Sequence, residues 1–306
     1  MDSNWQSKDL QPALSVDEQV QNLVDKGLLI EDIDGAKKYL SHVSYFRLIK
    51  AYSLEFKPKN GNYSPGTTFR NLVDIYNFDI KLRQILFPII EYIEIDLRCK
   101  IANYFSKKYG VLGYQDPSNF DKANYHWDFM LKINKEIERN KTKPFVANFT
   151  TQYKNGALPF YALIELFSFG TLSKFYRNLL TEDQKEIAAE YKIKYEYLDS
   201  WIASISYVRN ICAHYGRLYN INISKAPRLY SEYKVTAKNK ESVQRKEPVN
   251  NRSVFAVILC IKHLTFNTDY WATFLNAFVT LIESYKSVIN LTNIGLTSNW
   301  RDLLRK

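Results

Sequence analysis

Residues 68–109 read TFRNLVDIYNFDIKLRQILFPIIEYIEIDLRCKIANYFSKKY and carry the longest apolar repeat of the chain. Its apolar residues recur every three or four positions, which is the period of one helix face. Pro88 lies inside the repeat, and because proline lacks a backbone N–H, we expect a kink there. Glu94 and Arg98 stand four residues apart and should share one side of the helix. The stretch therefore predicts one long helix.

Composition extends this helical interpretation to the whole chain. Only 10 glycines and 9 prolines occur in 306 residues, which leaves long uninterrupted segments and favours helices over many short strands. Further helices are predicted at residues 15–27, 35–56, 121–140, 144–154, 158–169, 170–179, 195–213, 253–266 and 269–289, with another starting at 181. Gly170 is expected at a tight corner between two of them. The predicted fold class is all-α.

Four regions are predicted along the chain. Residues 1–66 would form an N-terminal helical region, 67–230 a helical core, 231–252 a basic loop or linker, and 253–306 a C-terminal helical extension. No basic and apolar leader is visible near residue 1, and no apolar run reaches the roughly 18 residues of a membrane span. We therefore expect a cytoplasmic protein without membrane contact.

The charge balance favours a polyanionic partner. The formal net charge is +10, and the 23 tyrosines include rings that can stack on unpaired bases. Basic soluble proteins without nucleic-acid partners are common, so the charge alone identifies none. It makes RNA the first partner to consider.

No cofactor or metal site is predicted from the sequence. The spacing of cysteines and histidines fits no metal motif, and glycine-rich phosphate loops and nucleophile elbows are missing. The cysteines are expected to be buried free thiols, and three of the histidines are expected at the surface or its boundary. These residues are Cys99, Cys212 and Cys260, and His42, His126 and His263.

The residues that carry chemistry are in Arg209-Asn210-Ile211-Cys212-Ala213-His214. A histidine with an ordinary pKa of about 6.5 can shuttle protons near neutral pH. An arginine can donate paired hydrogen bonds to phosphate oxygens. Together they suit RNA cleavage by the ribose 2′-hydroxyl, with Asn210 as an accessory group. Tyr215 and Arg217 are further candidates for holding RNA.

The spacing of the pair has a geometric consequence. Five residues on a regular helix separate two side chains by about 140°, so Arg209 and His214 do not converge on an undistorted helix. A two-fold homodimer would place two copies of the motif in one cleft. The alternative interpretation is structural, with a helix-end histidine bonded to a carbonyl and a solvated arginine.

Four other stretches resemble an abortive-infection family. They are residues 39–48 with Tyr52, 67–69 with 75–83, 93–98, and 158–165 with 169–173. Together with residues 209–214, this ordered set resembles bacterial phage-defence proteins of the AbiD/AbiF kind, in the HEPN superfamily of helical ribonucleases. The resemblance spans roughly residues 36–225.

The resemblance implies a HEPN-type helical bundle core, a homodimer and a metal-independent endoribonuclease. It implies Arg209 and His214 as the catalytic pair, with Asn210 as the accessory polar residue. Glu94 and Arg98 carry over as supporting residues, against the alternative of an intrahelical salt bridge. The expected partners are an RNA substrate, a regulatory small RNA and a second copy of the chain, with no DNA.

Two other functions fit the same sequence. A non-catalytic RNA-binding module within a toxin–antitoxin or defence system would also use the positive charge, the tyrosines and the basic residues between 231 and 252. A protein-interaction scaffold would leave the Arg209–His214 motif with a structural task. Toxicity that disappears on replacing Arg209 would argue against the scaffold.

Overall fold

The computed structural model describes residue 10 and residues 12–57, 61–234 and 247–305. These residues form α-helices, short 3-10 turns and one π-helical turn, without a strand, which confirms the all-α class. The helices are α1 (Val16–Asp25), α2 (Ile33–His42), α3 (Phe69–Tyr109), α4 (Ala123–Arg139), α5 (Pro144–Gln152), α6 (Phe160–Leu163), α7 (Phe169–Asn178), α8 (Thr181–Ala189), α9 (Tyr195–Ala213), α10 (Ser231–Lys234), α11 (Val254–Thr265), α12 (Asp269–Tyr285) and α13 (Trp300–Arg305).

The chain divides into two compact units, residues 1–80 and 81–306, and α3 crosses the boundary between them. The boundaries expected from sequence at residues 66, 230 and 252 stay predictions. Most of the basic loop predicted at 231–252 lies outside the described residues, which stop at 234 and resume at 247. Among the described residues, no helix has both the length and the apolar character needed to cross a membrane.

In the first unit, α1 begins at the capping box expected from Ser15 and Glu18. The Ser15 hydroxyl accepts from the Glu18 backbone N–H at 3.3 Å, and the Glu18 carboxylate accepts from the Ser15 N–H at 2.7 Å. The pairing satisfies two N–H groups that a helix start leaves without partners. Gly27 then takes a left-handed φ of +83°, as expected for the residue that ends the helix.

The prediction of a single helix over residues 35–56 is wrong. Helix α2 ends at His42, and Val43 is extended, with φ −115° and ψ 108°. The Ser44 hydroxyl accepts from the Arg47 backbone N–H at 3.2 Å and so starts a new turn. A π-helical turn (Phe46–Lys50) and a 3-10 turn (Leu54–Phe56) follow. A local side-chain cap thus overrides the apolar repeat.

The second unit is organised around α9, whose predicted bounds are confirmed. Helix α9 packs against α7, α8 and α11, so apolar residues cover it on several sides. The stripe predicted to be buried is at most 1% exposed at every position, namely Leu198, Trp201, Ile202, Ile205 and Val208. Helix α3 remains helical through Pro88. The helix that carries the Arg209–His214 motif is therefore a core element with one accessible end.

The corner between α6 and α7 differs from the prediction. Helix α6 gives way to a 3-10 turn, Ile164–Leu166, and Phe167 is extended with ψ 133°. The Ser168 hydroxyl accepts from the Thr171 N–H at 3.2 Å and caps α7. Gly170 consequently lies inside α7, because the chain turns two to three residues before it.

His126 and Cys99 lie in environments opposite to those predicted. His126 is buried, 6% exposed, and its Nε2 lies 2.9 Å from the Tyr114 carbonyl oxygen. Cys99 is exposed, whereas Cys212 and Cys260 are buried free thiols as expected. Within the described residues, no three His, Cys, Asp or Glu side chains form a cluster that could hold a metal ion.

We expect His263 to make stability fall in mild acid. Its ring stacks on Trp201 at 5.3 Å, and burial, reinforced by Lys262, lowers the pKa of His263 from 6.5 to about 4. Between those two pH values, the unfolded chain binds a proton that the folded chain does not, so the free energy of unfolding decreases as pH falls from 6.5 to 4. In urea titrations at pH 7 and 5, His263→Gln should lose less stability than wild type, and the exposed-site variant His42→Gln should behave as wild type. An unchanged pH slope in His263→Gln would contradict the assignment.

Candidate functional site

His214 ends α9 in a defined C-terminal turn. Its backbone N–H donates to the Asn210 carbonyl oxygen at 3.0 Å. The Tyr215 N–H then reaches the Cys212 oxygen at 3.2 Å, and the Gly216 N–H reaches the Ile211 oxygen at 2.8 Å. This pair of bonds is a Schellman motif, with Tyr215 in the left-handed position at φ +56°. The backbone is therefore fixed at the residue that carries the imidazole.

The turn after His214 is also held from α3. The Gly216 carbonyl oxygen accepts from the Arg83 guanidinium at 2.9 Å, and Arg83 is only 6% exposed. A Cβ on Gly216 would lie 3.0 Å from Ile211 Cγ2, so a larger residue does not fit without a shift. Arg83 could not be singled out from the sequence, because no local spacing connects it with Gly216, 133 positions away.

A carboxylate holds the arginine of the motif. Arg209 Nε lies 3.2 Å from one oxygen of Glu94, and the other Glu94 oxygen accepts from Arg98 at 2.9 Å. Arg98 also donates to the carbonyl oxygens of Ile164 and, at 3.1 Å, Phe167. Glu94 is 8% and Arg98 9% exposed. The intrahelical Glu94–Arg98 salt bridge is thus present, and the same carboxylate extends it to α9.

These three side chains border a cleft of about 210 Å³, called the Glu94 cleft below. It is lined by Phe87, Glu91, Glu94, Ile95, Arg98, Glu165 and Arg209. The Arg209 guanidinium carbon lies 5.9 Å from the centre of the Phe87 ring. Three carboxylates against two guanidinium groups give the lining a formal excess of one negative charge. In one copy of the chain, this cleft is therefore not a strong phosphate site.

The remaining candidate residues lie outside the Glu94 cleft. His214 and Asn210 are exposed, Tyr215 is 71% exposed, and Arg217 is partly exposed. Among the described residues, none forms a hydrogen bond or ion pair with the His214 imidazole. The structure therefore brings Glu94, Arg98 and Arg209 together and leaves the imidazole accessible at the helix end.

The chain after the motif is anchored by residues far along the sequence. The Tyr219 hydroxyl accepts from the Asn290 N–H at 2.9 Å and from the Asn293 side-chain amide at 3.0 Å. The Asn220 N–H donates to the Asn293 carbonyl oxygen at 3.0 Å. The C-terminal helical extension, to which the sequence assigned no role, thus supports the segment that follows His214.

The Glu94 cleft and the turn after His214 lie in the part of the chain that a known family shares. A family model described as Abi-like protein matches residues 38–220, more than half of the 306 residues. The chain belongs to this Abi-like protein family, which connects it with abortive infection, a form of phage defence. The predicted resemblance to an abortive-infection family is confirmed at that level. Comparisons with curated proteins and with solved structures find no match.

Tyr215 is expected to strain the end of α9. A left-handed backbone costs an L-residue about 1 kcal/mol, whereas glycine adopts it freely. Tyr215→Gly should therefore be more stable than Tyr215→Ala by about 1 kcal/mol in chemical denaturation. Both variants lack the tyrosine ring, so their comparison isolates the backbone effect. Equal stability of the two would show that this residue is not strained.

Proposed function

We propose that the protein is a metal-independent endoribonuclease of the HEPN type that acts in phage defence. The observation that carries the proposal is an accessible imidazole at a fixed helix end, five residues after a guanidinium held by a buried carboxylate. In this proposal His214 is the general acid or base, Arg209 stabilises the phosphorane, and Asn210 binds or orients a phosphate oxygen.

The proposed reaction is transesterification within the RNA strand. The ribose 2′-oxygen attacks the adjacent phosphorus and loses its proton to a base. The bond from phosphorus to the 5′-oxygen breaks, and that oxygen gains a proton. The products are a 2′,3′-cyclic phosphate and a 5′-hydroxyl. A neutral imidazole can accept the first proton, and a protonated imidazole can supply the second.

Glu94 orients Arg209 in this scheme. Its carboxylate binds the guanidinium through Nε, which leaves the two terminal nitrogens of Arg209 to donate to phosphate oxygens. Arg98 fixes Glu94 in turn, because it is itself held by the two carbonyl groups at residues 164 and 167. Glu94 and Arg98 are therefore positioning residues, and the salt bridge between them is part of that task.

The charge of the Glu94 cleft favours a site built from two copies. One copy offers a formal excess of negative charge at Arg209, which disfavours an RNA phosphate. A two-fold dimer would add the partner's helix end, with a second imidazole and the neighbouring Arg217 and Tyr215. We include the homodimer in the proposal, together with a cytoplasmic location and restraint by a partner such as a small RNA.

A second candidate function is an RNA-binding module without catalysis. The observation that favours it is that His214 does not line the cleft that contains Arg209. In this case the basic chain would hold a structured RNA within a defence system, and its affinity would fall steeply with salt.

Cleavage in a chelator tests the main proposal. Purified protein with EDTA should cut single-stranded RNA and leave 2′,3′-cyclic phosphate ends. An oligonucleotide of the same sequence with a single 2′-deoxyribose at the cut site is the matched control and should remain intact at that position. A strict requirement for magnesium, or cutting of the deoxy control there, would contradict the mechanism. Tight RNA binding without any cutting would favour the second candidate.

A further inference from the structure

A second cavity, larger than the Glu94 cleft, lies between α4 and α7 and has a volume of about 380 Å³. That volume is within the range of sites for small organic ligands. The cavity is called the ring pocket below, because Phe120, Phe129 and Phe175 form its apolar wall. No part of the Arg209–His214 motif lines it.

Of the three rings in the wall of the ring pocket, Phe129 is the one that is partly exposed. The Phe129 and Phe175 ring centres are 5.3 Å apart, and Phe120 meets Phe175 edge-on at 5.5 Å. Phe120 and Phe175 are at most 6% exposed, whereas Tyr125 at the mouth is 49% exposed. Phe120 and Phe175 therefore support Phe129, whose partly exposed ring offers a flat apolar face to a ligand.

The rim of the ring pocket is positively charged. Lys132, Lys174 and Arg177 line it, against the single carboxylate of Asp128. Arg177 is paired with Asp199 at 2.8 Å, and Lys132 donates to the Thr171 hydroxyl at 2.6 Å. Lys174 is exposed and lies on the same face of α7 as Arg177. The excess positive charge comes from the two lysines, so the rim favours an anion.

From this combination we infer that the ring pocket binds a nucleoside monophosphate unit, with the base against the Phe129 ring and the phosphate at Lys174 and Lys132. Bases stack on aromatic side chains whatever their sequence. A phosphate group with two negative charges can pair with both lysines, whereas a ligand carboxylate has only one negative charge. Asp128 can accept from a base amino group or a ribose hydroxyl. The same unit occurs in a free nucleotide and in an unpaired position of an RNA strand.

The inference does not depend on cleavage, so it is tested in full-length His214→Ala protein, in which RNA should stay intact. Calorimetric titration with adenosine monophosphate should show one site per chain. Adenosine and inorganic phosphate, as separate probes, should each bind at least about tenfold more weakly, because each lacks one half of the recognised unit. Binding of phosphate as tight as that of the nucleotide would overturn the inference.

Two variants connect the binding with the pocket. Lys174→Gln should weaken nucleotide binding about tenfold through loss of one charged contact. Phe129→Leu keeps an apolar side chain but removes a flat face, and should weaken it about fivefold. Lys107→Gln, at an exposed lysine of α3, is the matched control and should bind as the parent does. No saturable binding of nucleotide or RNA at millimolar concentration, or no effect of Lys174→Gln, would overturn the inference.

A short single-stranded RNA distinguishes the two sources of the ligand. RNA that binds at least tenfold more tightly than the free nucleotide, with the same loss in Lys174→Gln, identifies a site for a strand. RNA that binds no better than the nucleotide identifies a site for a free small molecule. Either result supports the pocket, and neither requires that the protein cut RNA.

Discussion

His214→Ala is expected to lower the rate of RNA cleavage by about 100-fold or more, because general acid–base catalysis typically contributes that much. The side chain is exposed and bonded to no described residue, so its removal should leave the free energy of unfolding nearly unchanged. Cleavage is measured on a defined RNA by the appearance of 2′,3′-cyclic ends, and folding by chemical denaturation. The loss should lie in the rate of the chemical step, with RNA affinity little altered.

The matched control is His42→Ala, which removes another exposed histidine at the end of a helix, α2. It should cut RNA at the wild-type rate. If His214→Ala cuts RNA at the wild-type rate, His214 is not the general acid or base. That conclusion does not depend on the roles of Arg209 and Asn210.

Glu94→Ala should be the most disruptive single change near the site. It removes the carboxylate from two guanidinium groups, and breaking a mostly buried ion pair costs about 3–5 kcal/mol. Arg98 keeps its carbonyl partners, which places the expected loss at the low end of that range. We expect a lower free energy of unfolding in denaturant titrations, together with slower RNA cleavage because Arg209 loses its orientation.

Two variants separate stability from positioning. Glu91→Ala removes an exposed carboxylate that lines the same cleft, one turn earlier on α3, and should leave stability within about 0.5 kcal/mol of wild type. Glu94→Gln keeps the shape and one acceptor, so it should fold better than Glu94→Ala but still cut RNA slowly. Full cleavage by Glu94→Gln would show that the charge of Glu94 has no part in positioning Arg209.

Periodicity predicted the fold where burial alone decides the local structure. Helix α9 and most of α3 have long apolar faces, and the sequence gives their ends within a residue or so. The apolar repeat gave a wrong prediction near Val43 and Phe167, where the chain leaves the helix in spite of apolar neighbours. At both places a serine hydroxyl, Ser44 or Ser168, caps a new turn. The spacing of apolar residues does not indicate such a hydrogen bond.

The candidate site was predictable only in its local parts. The spacing of Glu94 and Arg98 indicated their contact, because residues four apart meet on any helix. The contact of Glu94 with Arg209 joins positions more than a hundred residues apart and depends on how α3 and α9 pack. No single-sequence pattern contains that information. The same holds for Arg83, whose bond to Gly216 fixes the turn after His214.

The hydrogen bonds of Tyr219 can form only late in the synthesis of the chain. Its partners Asn290 and Asn293 follow it by 71 and 74 residues in the chain. At translation rates of about 5–20 residues per second, they are made roughly 4–15 s after Tyr219. During that interval the segment behind His214 has none of these bonds. A nascent chain, or one ended early by a stop codon, therefore lacks the bonds that hold Tyr219, whereas the turn at the end of α9 depends only on residues made by position 216.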